Sequence, residues 1–405
     1  MTSSPNYSTA HSFYRPSWVE INLNNFVHNF LEIKKKLYPV RNPHSNISNG
    51  VKILAVIKAD GYGHGAIPVA RKFIQYGGEY LGVSSIEEGI VLRHAGIRAP
   101  ILILGSVYPY TSFPQIFEYS LIPTVASLSV FEELNRLAQT YQRRLPVHLK
   151  VDTGMGRIGV SPENVIPLVK KILNSNLRLG GIYSHLSSAD IDPEYTMEQI
   201  NILKTIRENM KSQGLLNPCF HIANSTAILR YPESYFDLVR PGLLLYGLLP
   251  YPGADKDIVV KPVLSLKTKI VFLKNVPLGK RISYGGTFLT RRESWIATLP
   301  IGYADGYSRF LSNPCPAGGS VGNGEVLVHG RRCPLVGRVT MDMIMIDVTD
   351  LISSGQKINV GDEVVIIGQQ GEEKISTEEL AKKIGTISYE IVCGLSKRLP
   401  RVYLE

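Results

Sequence analysis

Cysteine is scarce, and what there is does not pair. Cys219, Cys315, Cys333 and Cys393 are the only four in 405 residues, and none stands in a C-x-x-C spacing. That excludes a disulfide framework and leaves little for a structural metal. An H-E-x-x-H helix is also missing. No apolar run reaches the ~18 residues that a bilayer span requires. The stretch Met1–Trp18 is polar and has no apolar core of a secretory signal. A cytoplasmic protein with no membrane association is expected.

Charge is sparse as well, at 19% of residues, against 44% hydrophobic. With that balance disorder is excluded as a global description, and the length allows two or three domains. The net charge of +10 is concentrated in Lys261–Arg292, where eight basic residues meet no acidic one. No helix-turn-helix, zinc finger or RNP signature accompanies it, so no nucleic-acid partner is expected. Lys267 and Lys269 alternate with apolar neighbours, as on a solvated strand face. A positive field that draws in a carboxylate substrate is a second reading.

What is present is a rhythm. Eight short apolar runs follow one another: Val51–Lys58, Tyr80–Ser84, Pro100–Gly105, Leu121–Ala126, Pro146–Val151, Gly180–His185, Cys219–Ala223 and Leu238–Tyr246. Helical patterns separate them, clearest at Ile86–His94, Leu128–Tyr141, Glu163–Leu173 and Tyr195–Ser212. Near-continuous apolar strands alternating with helices indicate a parallel sheet covered on both faces. Eight such units favour a (β/α)8 TIM barrel, and no G-x-G-x-x-G follows the first run to support a dinucleotide fold. Beyond residue 258 the texture turns to strands, at Leu264–Leu273, Trp295–Leu299, Val326–His329, Val339–Val348 and Glu363–Ile367, with one helix at Ser376–Ile384. The expected fold is α/β: a barrel over residues 23–257, then a mostly β C-terminal domain over 258–405. The N-terminal segment 1–22 is expected to pack with that second domain. Arg41–Gly50 and Ser312–Gly324 read as inserted surface loops.

In a barrel the chemistry collects at the C-terminal ends of the strands. Lys58 closes the first run, where partial desolvation makes an amine nucleophilic. Alternatively it snorkels outward to pair with Asp60 or Glu87. The glycines and Tyr62 immediately after it favour close backbone approach to a ligand. Lys150 and Arg157 bracket a Gly-rich turn, His185 ends the sixth run, Asn224 and Ser225 end the seventh, and Arg240-Pro241-Gly242 lies in the eighth. Each has a plain reading: an ion pair for Arg240, a core histidine for His185, an N-cap for Ser225. Together they put a lysine, an arginine and a phosphate cradle on one face, which describes a pyridoxal-phosphate enzyme.

The sequence resembles the alanine racemase family of fold-type III pyridoxal-phosphate enzymes. The likeness rests on AVIKADGYGHG (Ala55–Gly65), HLKVDTGMGRIGV (His148–Val160), SHLSSAD (Ser184–Asp190), HIANS (His221–Ser225), RPGLLLYG (Arg240–Gly247), SYG (Ser283–Gly285), IGYADG (Ile301–Gly306), VGRVTMD (Val336–Asp342) and ISYE (Ile387–Glu390). The resemblance implies pyridoxal 5'-phosphate held by Lys58 and interconversion of L-alanine and D-alanine, the latter for peptidoglycan. It makes Lys58 the base for D-alanine and Tyr284 the base for L-alanine, with His185 and Arg240 activating the phenol. Arg240 would also face the pyridine nitrogen. Tyr62, Ser225, Tyr389 and the backbone near Asn224, Gly242 and Leu243 would hold the phosphate. Arg157 and the Met341 amide would meet the substrate carboxylate, while Tyr284, Tyr303 and Tyr389 narrow the entrance. Similar enzymes carry a carbamate on the residue matching Lys150; an unmodified Lys150 paired with Asp152 is the alternative. A homodimer with shared active sites is implied. Three other functions compete: a racemase of broader specificity, a decarboxylase of the same fold with an acid in place of Arg240, and a non-catalytic pyridoxal-phosphate binding protein.

Overall fold

The computed structural model describes residues 14–38, 50–215, 217–313 and 323–405. Most of both inserted loops and of the N-terminal segment therefore lies outside the described residues. The chain divides into two compact units: Asn22–Val263, and Leu264–Leu404 joined by the stretch ending at Ile21.

That stretch is β1 (Ser17–Asn22), an alternating strand that belongs to the second unit's sheet. The first unit then lays down β2 (Lys52–Val56), β3 (Tyr80–Val83), β4 (Ile101–Ile103), β5 (Thr124–Val125), β6 (Leu145–Lys150), β7 (Leu177–Tyr183), β8 (Cys219–His221) and β9 (Leu238–Val239). Two parallel four-stranded sheets run β4-β3-β2-β9 and β5-β6-β7-β8. A parallel bridge from Leu102 to Ile122 joins them on one side. On the other, Asp237 N donates to Phe220 O and Arg240 N to Ala223 O, both at 3.0 Å. The ring is closed, as the count of eight runs predicted.

The strands are mostly apolar because a parallel barrel sheet is covered on both faces, with polar interior positions confined to a few side chains such as His148, Lys150, His221 and Arg240. Helix α1 (Leu23–Leu37) shows how the covering layer reaches the site. Asn22 caps it by accepting from Asn25 N at 2.9 Å. Its buried stripe includes Phe26 and Phe30, and Phe26 packs on Tyr246 with ring centroids 6.0 Å apart. Tyr246 is fully buried, donates to Val56 O at 3.0 Å, and lies 4.9 Å from the ring of Tyr62. Packing on the outer helix thus fixes a ring beside the turn that follows Lys58.

Most of the expected strands are shorter than their apolar runs, and at two of them the reason bears on the site. The eighth stops at Val239, because Pro241 has no N–H for the ladder and Gly242 turns the chain into a 3-10 segment, Leu243–Tyr246. The first stops at Val56, where a left-handed turn begins.

In the second unit β1 pairs antiparallel with β10 (Leu264–Lys269), Trp18 facing Lys267. Within the basic stretch, Lys267 lies on a strand face: it pairs with Glu20 at 3.0 Å and Glu363 at 3.5 Å, across three adjacent strands. The run Leu264–Leu273 breaks at Ile270–Val271, so Phe272–Val276 joins a separate three-stranded sheet with Ser294–Leu299 and Ile344–Asp347. The expected strand Val339–Val348 is confined to Ile344–Asp347, because Thr340 closes a turn, its Oγ1 donating to Met343 O at 2.7 Å.

Candidate active site

Lys58 is followed by four residues in the left-handed region: Ala59 (φ 52°), Asp60 (φ 52°), Gly61 (φ 63°) and Tyr62 (φ 53°). Only one is glycine, and each other residue there costs about 1–2 kcal/mol. Backbone bonds run round the turn, from Gly61 N to Ile57 O and from Gly63 N to Ala59 O, both 2.9 Å. Asp60 is spent on this turn, its Oδ1 accepting from Ala66 N at 2.8 Å. Glu87 accepts from Ser85, which holds its carboxyl below the usual range. Neither expected partner of a snorkelling Lys58 is idle. The turn throws Tyr62 inward, where it is buried.

Its hydroxyl meets the start of the segment after β9. A Cβ added at Gly242 would lie 2.7 Å from the Tyr62 oxygen, so only glycine lets the chain pass here. Ser225 Oγ accepts from Gly242 N at 3.0 Å and from Leu244 N at 3.4 Å. Ser225 was one candidate for the cap of the helix Ser225–Arg230, but Asn224 performs that task, accepting from Ala227 N at 3.0 Å. The serine is left to the cradle. A hydroxyl, a phenol and amides converging without an intervening side chain suit the oxygens of a phosphate.

Behind the cradle sits Arg240, 4% exposed. Its Nη1 donates to His221 Nδ1 at 2.7 Å; its Nη2 donates to Ser184 O at 2.7 Å, Ile222 O at 3.0 Å and His185 Nδ1 at 3.4 Å. No carboxylate among the described residues forms an ion pair with it. Burial lowers its pKa to about 10, so it stays charged at neutral pH. His221 Nε2 lies 2.9 Å from His148 Nδ1. An arginine only donates, so Nδ1 of His221 accepts and its proton sits on Nε2, pointing at His148. The same logic protonates Nε2 of His148 and of His185. Burial, then the Arg240 charge, drives His148 down to about 3 and His221 and His185 well below the usual imidazole value. All three are neutral at physiological pH.

Tyr183 seals this layer. It stacks on His221 at 4.7 Å and 6°, and its hydroxyl meets Thr124 Oγ1 at 2.6 Å. Lys150 Nζ lies 4.2 Å from its ring centre. Burial pushes the Lys150 amine well below its ordinary pKa, Arg240 and Arg157 push the same way, and Asp152 opposes weakly. Asp152 is occupied by the Gly-rich turn, accepting from Gly154 N and Gly156 N at 3.0 Å each. Arg157 is exposed at the rim.

The barrel thus brings together Lys58, Tyr62, Lys150, Arg157, His185, Asn224, Ser225, Arg240, Gly242 and Leu243. Tyr284, Tyr303, Met341 and Tyr389 belong to the second unit. Tyr284 is 72% exposed and follows Ser283, whose Oγ donates to Arg338 O at 2.8 Å. Tyr303 and Met341 sit on two strapped loops, with Tyr303 N on Thr340 O and Ala304 N on Met341 O, both 3.0 Å. Asp305, fully buried beneath them, takes two bonds from Arg15, at 3.0 and 2.6 Å. Asp342 is paired with Arg398 at 2.8 Å. Tyr389 is on the short helix Ser388–Cys393.

His148, His221 and Tyr183 were not singled out from the sequence. The signal was there: each is a polar side chain within a mostly apolar strand run.

The chain is similar to known proteins along both of its halves. The family model for the alanine racemase N-terminal domain matches residues 21–250, and that for the C-terminal domain matches 263–403. An alanine racemase of Halothermothrix orenii is 47% identical over 96% of this chain and 97% of its own length. Alanine racemase 2 of Caldanaerobacter subterraneus subsp. tengcongensis is 42% identical over 96% and 95%. Among solved structures, the alanine racemase of Clostridium difficile 630 superposes with a TM-score of 0.86 at 36% identity, over 97% of each chain. That of Bacillus anthracis with bound L-Ala-P gives 0.85 at 36% identity, over 98% of this chain and 96% of its own. With both halves matched in order and nearly end to end, the chain belongs to the alanine racemase family.

Proposed function

We propose that this chain interconverts L-alanine and D-alanine by a two-base mechanism on pyridoxal 5'-phosphate, supplying D-alanine for peptidoglycan. The observation that carries the reading is the convergence of the Ser225 hydroxyl, the Gly242 amide and the Tyr62 hydroxyl beside the turn that bears Lys58. These residues fit the cofactor. Ser225, Tyr62, Tyr389 and the backbone at Asn224, Gly242 and Leu243 would hold its phosphate, Lys58 its aldehyde carbon, and Arg240 its ring nitrogen. When bound, the cofactor makes the α-proton of the attached amino acid acidic.

The chain's own residues do the rest. Lys58 takes or returns the α-proton on one face and Tyr284 on the other. A phenol is a poor base at neutral pH, and the Nε2–H of His185, fixed there by Arg240, is a donor suited to the phenolate oxygen. Arg240 would donate to the ring nitrogen without giving up its proton, which would favour return of the proton to Cα. Arg157 and the Met341 amide receive the substrate carboxylate, and Tyr303 narrows its entrance. The enzyme works as a homodimer in which Tyr284 completes the partner's site.

Lys150 carries a carbamate in this reading. Only a neutral amine adds carbon dioxide, and burial beside Arg240 and Arg157 shifts this one toward its neutral form. The product is an anion between two cations, which removes their repulsion. Isotope-labelled bicarbonate should give a carbamate resonance that Lys150→Ala abolishes; its absence from the unaltered protein would leave Lys150 as a plain buried amine.

The test of function has two parts. Cofactor-loaded protein given L-alanine should yield D-alanine by chiral analysis. Borohydride reduction should fix the pyridoxyl group to Lys58 in the peptide map. No D-alanine, or a label on Lys150, would sink the reading.

A further inference from the structure

One carboxylate at the barrel mouth is not accounted for by cofactor or substrate. Glu88, on the helix Ile86–His94 that follows β3, accepts from Ala59 N through Oε1 at 2.7 Å and from Ser84 N through Oε2 at 2.6 Å. The two amides end neighbouring strands: Ala59 follows Lys58 beyond β2, and Ser84 follows β3. Ala59 is also the first residue of the left-handed turn, at φ 52°. The peptide held by Oε1 is therefore the one joining Lys58 to that turn. Its plane sets ψ of Lys58, and with it the direction in which the lysine side chain leaves the backbone.

Backbone bonds within the turn tie Lys58's successors to one another, and Asp60 ties the turn to Ala66. Glu88 is different because it anchors the turn to a second strand. Both bonds are short and charge-assisted, the stronger kind of amide contact. A left-handed stretch with three non-glycine residues needs such over-determination to persist.

We propose that Glu88 is the positioning residue for Lys58, holding the Lys58–Ala59 peptide so that the amine is aimed at the cofactor carbon and then at one face of Cα. This rests on the function proposed above. Glu88 touches neither cofactor nor substrate and acts only through the lysine.

The test compares Glu88→Gln, Glu88→Ala and the neighbouring Glu87→Gln. Glutamine keeps the size and one acceptor, but its amide group opposes the second N–H. Three quantities are read on the full chain: the rate at which added pyridoxal phosphate becomes borohydride-fixable at Lys58, kcat and KM for alanine, and the melting temperature without cofactor. Small misplacements of a reacting group cost up to about a hundredfold. Glu88→Gln should therefore slow both labelling and kcat by about ten- to a hundredfold, with KM within about threefold. Glu88→Ala should be worse on both, and Glu87→Gln should match the unaltered protein. Lowered melting with unchanged labelling rate and kcat in both Glu88 variants would make the residue merely structural and overturn the proposal. If the unaltered protein labels at Lys58 but does not racemise alanine, the reading of the reaction fails, and the labelling rates alone decide on Glu88. If it does not label at Lys58, both fail.

Discussion

In deuterated buffer, the Tyr284→Phe protein should exchange the α-proton of D-alanine and leave that of L-alanine almost untouched. The planar group that holds the amino acid separates the two faces of Cα, and a base must lie within hydrogen-bond reach of the proton it takes. Lys58 stays competent on its own face, so label enters D-alanine without inversion. The opposite face has lost its base, and phenylalanine keeps the ring but not the oxygen that the proposed two-base mechanism needs. Net racemisation should fall by about 10²- to 10⁴-fold, the usual worth of a positioned acid or base. It must fall equally in both directions, because the equilibrium constant between enantiomers is one. Tyr284 is exposed on the second unit and preceded by a strained Ser283 at φ 67°, so the substitution removes no buried contact and folding should survive. Equal exchange from both enantiomers would show that Lys58 or water reaches both faces, and the two-base mechanism would be wrong. The same variant tests the shared site. Mixed and reassociated with Lys58→Ala, it should regain activity in hybrid dimers, where one site holds both native bases. Mixtures no more active than their parts would place Tyr284 in its own subunit's site.

What the sequence made legible follows from what burial does to composition. Parallel barrel strands are covered on both faces, so they stand out as apolar runs, and the eight runs correspond to the eight strands of the closed ring. Strand ends were less legible. Lys58 looks like the last residue of a strand, yet β2 ends at Val56, because the left-handed turn depends on hydrogen bonds from outside the segment. Glu87 and Glu88 are adjacent and chemically alike, and only helix phase decides that Glu88 faces the turn. The same limit hid the buried chain behind Arg240. His148 and His221 belong to β6 and β8, 73 residues apart in sequence, and no local pattern says that two inward imidazoles will touch. The cations were legible singly; what neutralises or orients them was not.

That buried chain should make the barrel acid-labile well above the range where carboxylates titrate. Arg240 can only donate, so it fixes His221 and then His148 as neutral rings with the proton on Nε2. Protonating His221 would put a second donor against the guanidinium. Protonating His148 would set its Nδ1–H against the Nε2–H of His221. Both rings are essentially inaccessible, unlike His185, which keeps part of its surface open. The sign follows from linkage: the unfolded chain binds protons below about 6.5, while folded His148 resists until about 3. The stability that this ring contributes by staying neutral is whole above pH 6.5 and is lost progressively as pH falls toward 3. In that window His148 alone costs about 1.4 kcal/mol per pH unit, or about 2 kcal/mol by pH 5. His221 acts in the same direction. Denaturant midpoints of the cofactor-loaded protein should therefore drop steeply between pH 6.5 and 5 and stay flat from 7.5 to 6.5. His148→Leu should start from a lower midpoint, since it leaves the His221 donor without its partner, but should lose about one histidine's share of the slope. A midpoint unchanged from pH 7.5 to 5 would mean that these rings are charged or solvated in the folded protein. The directional chain from Arg240 to His148 would then be wrong.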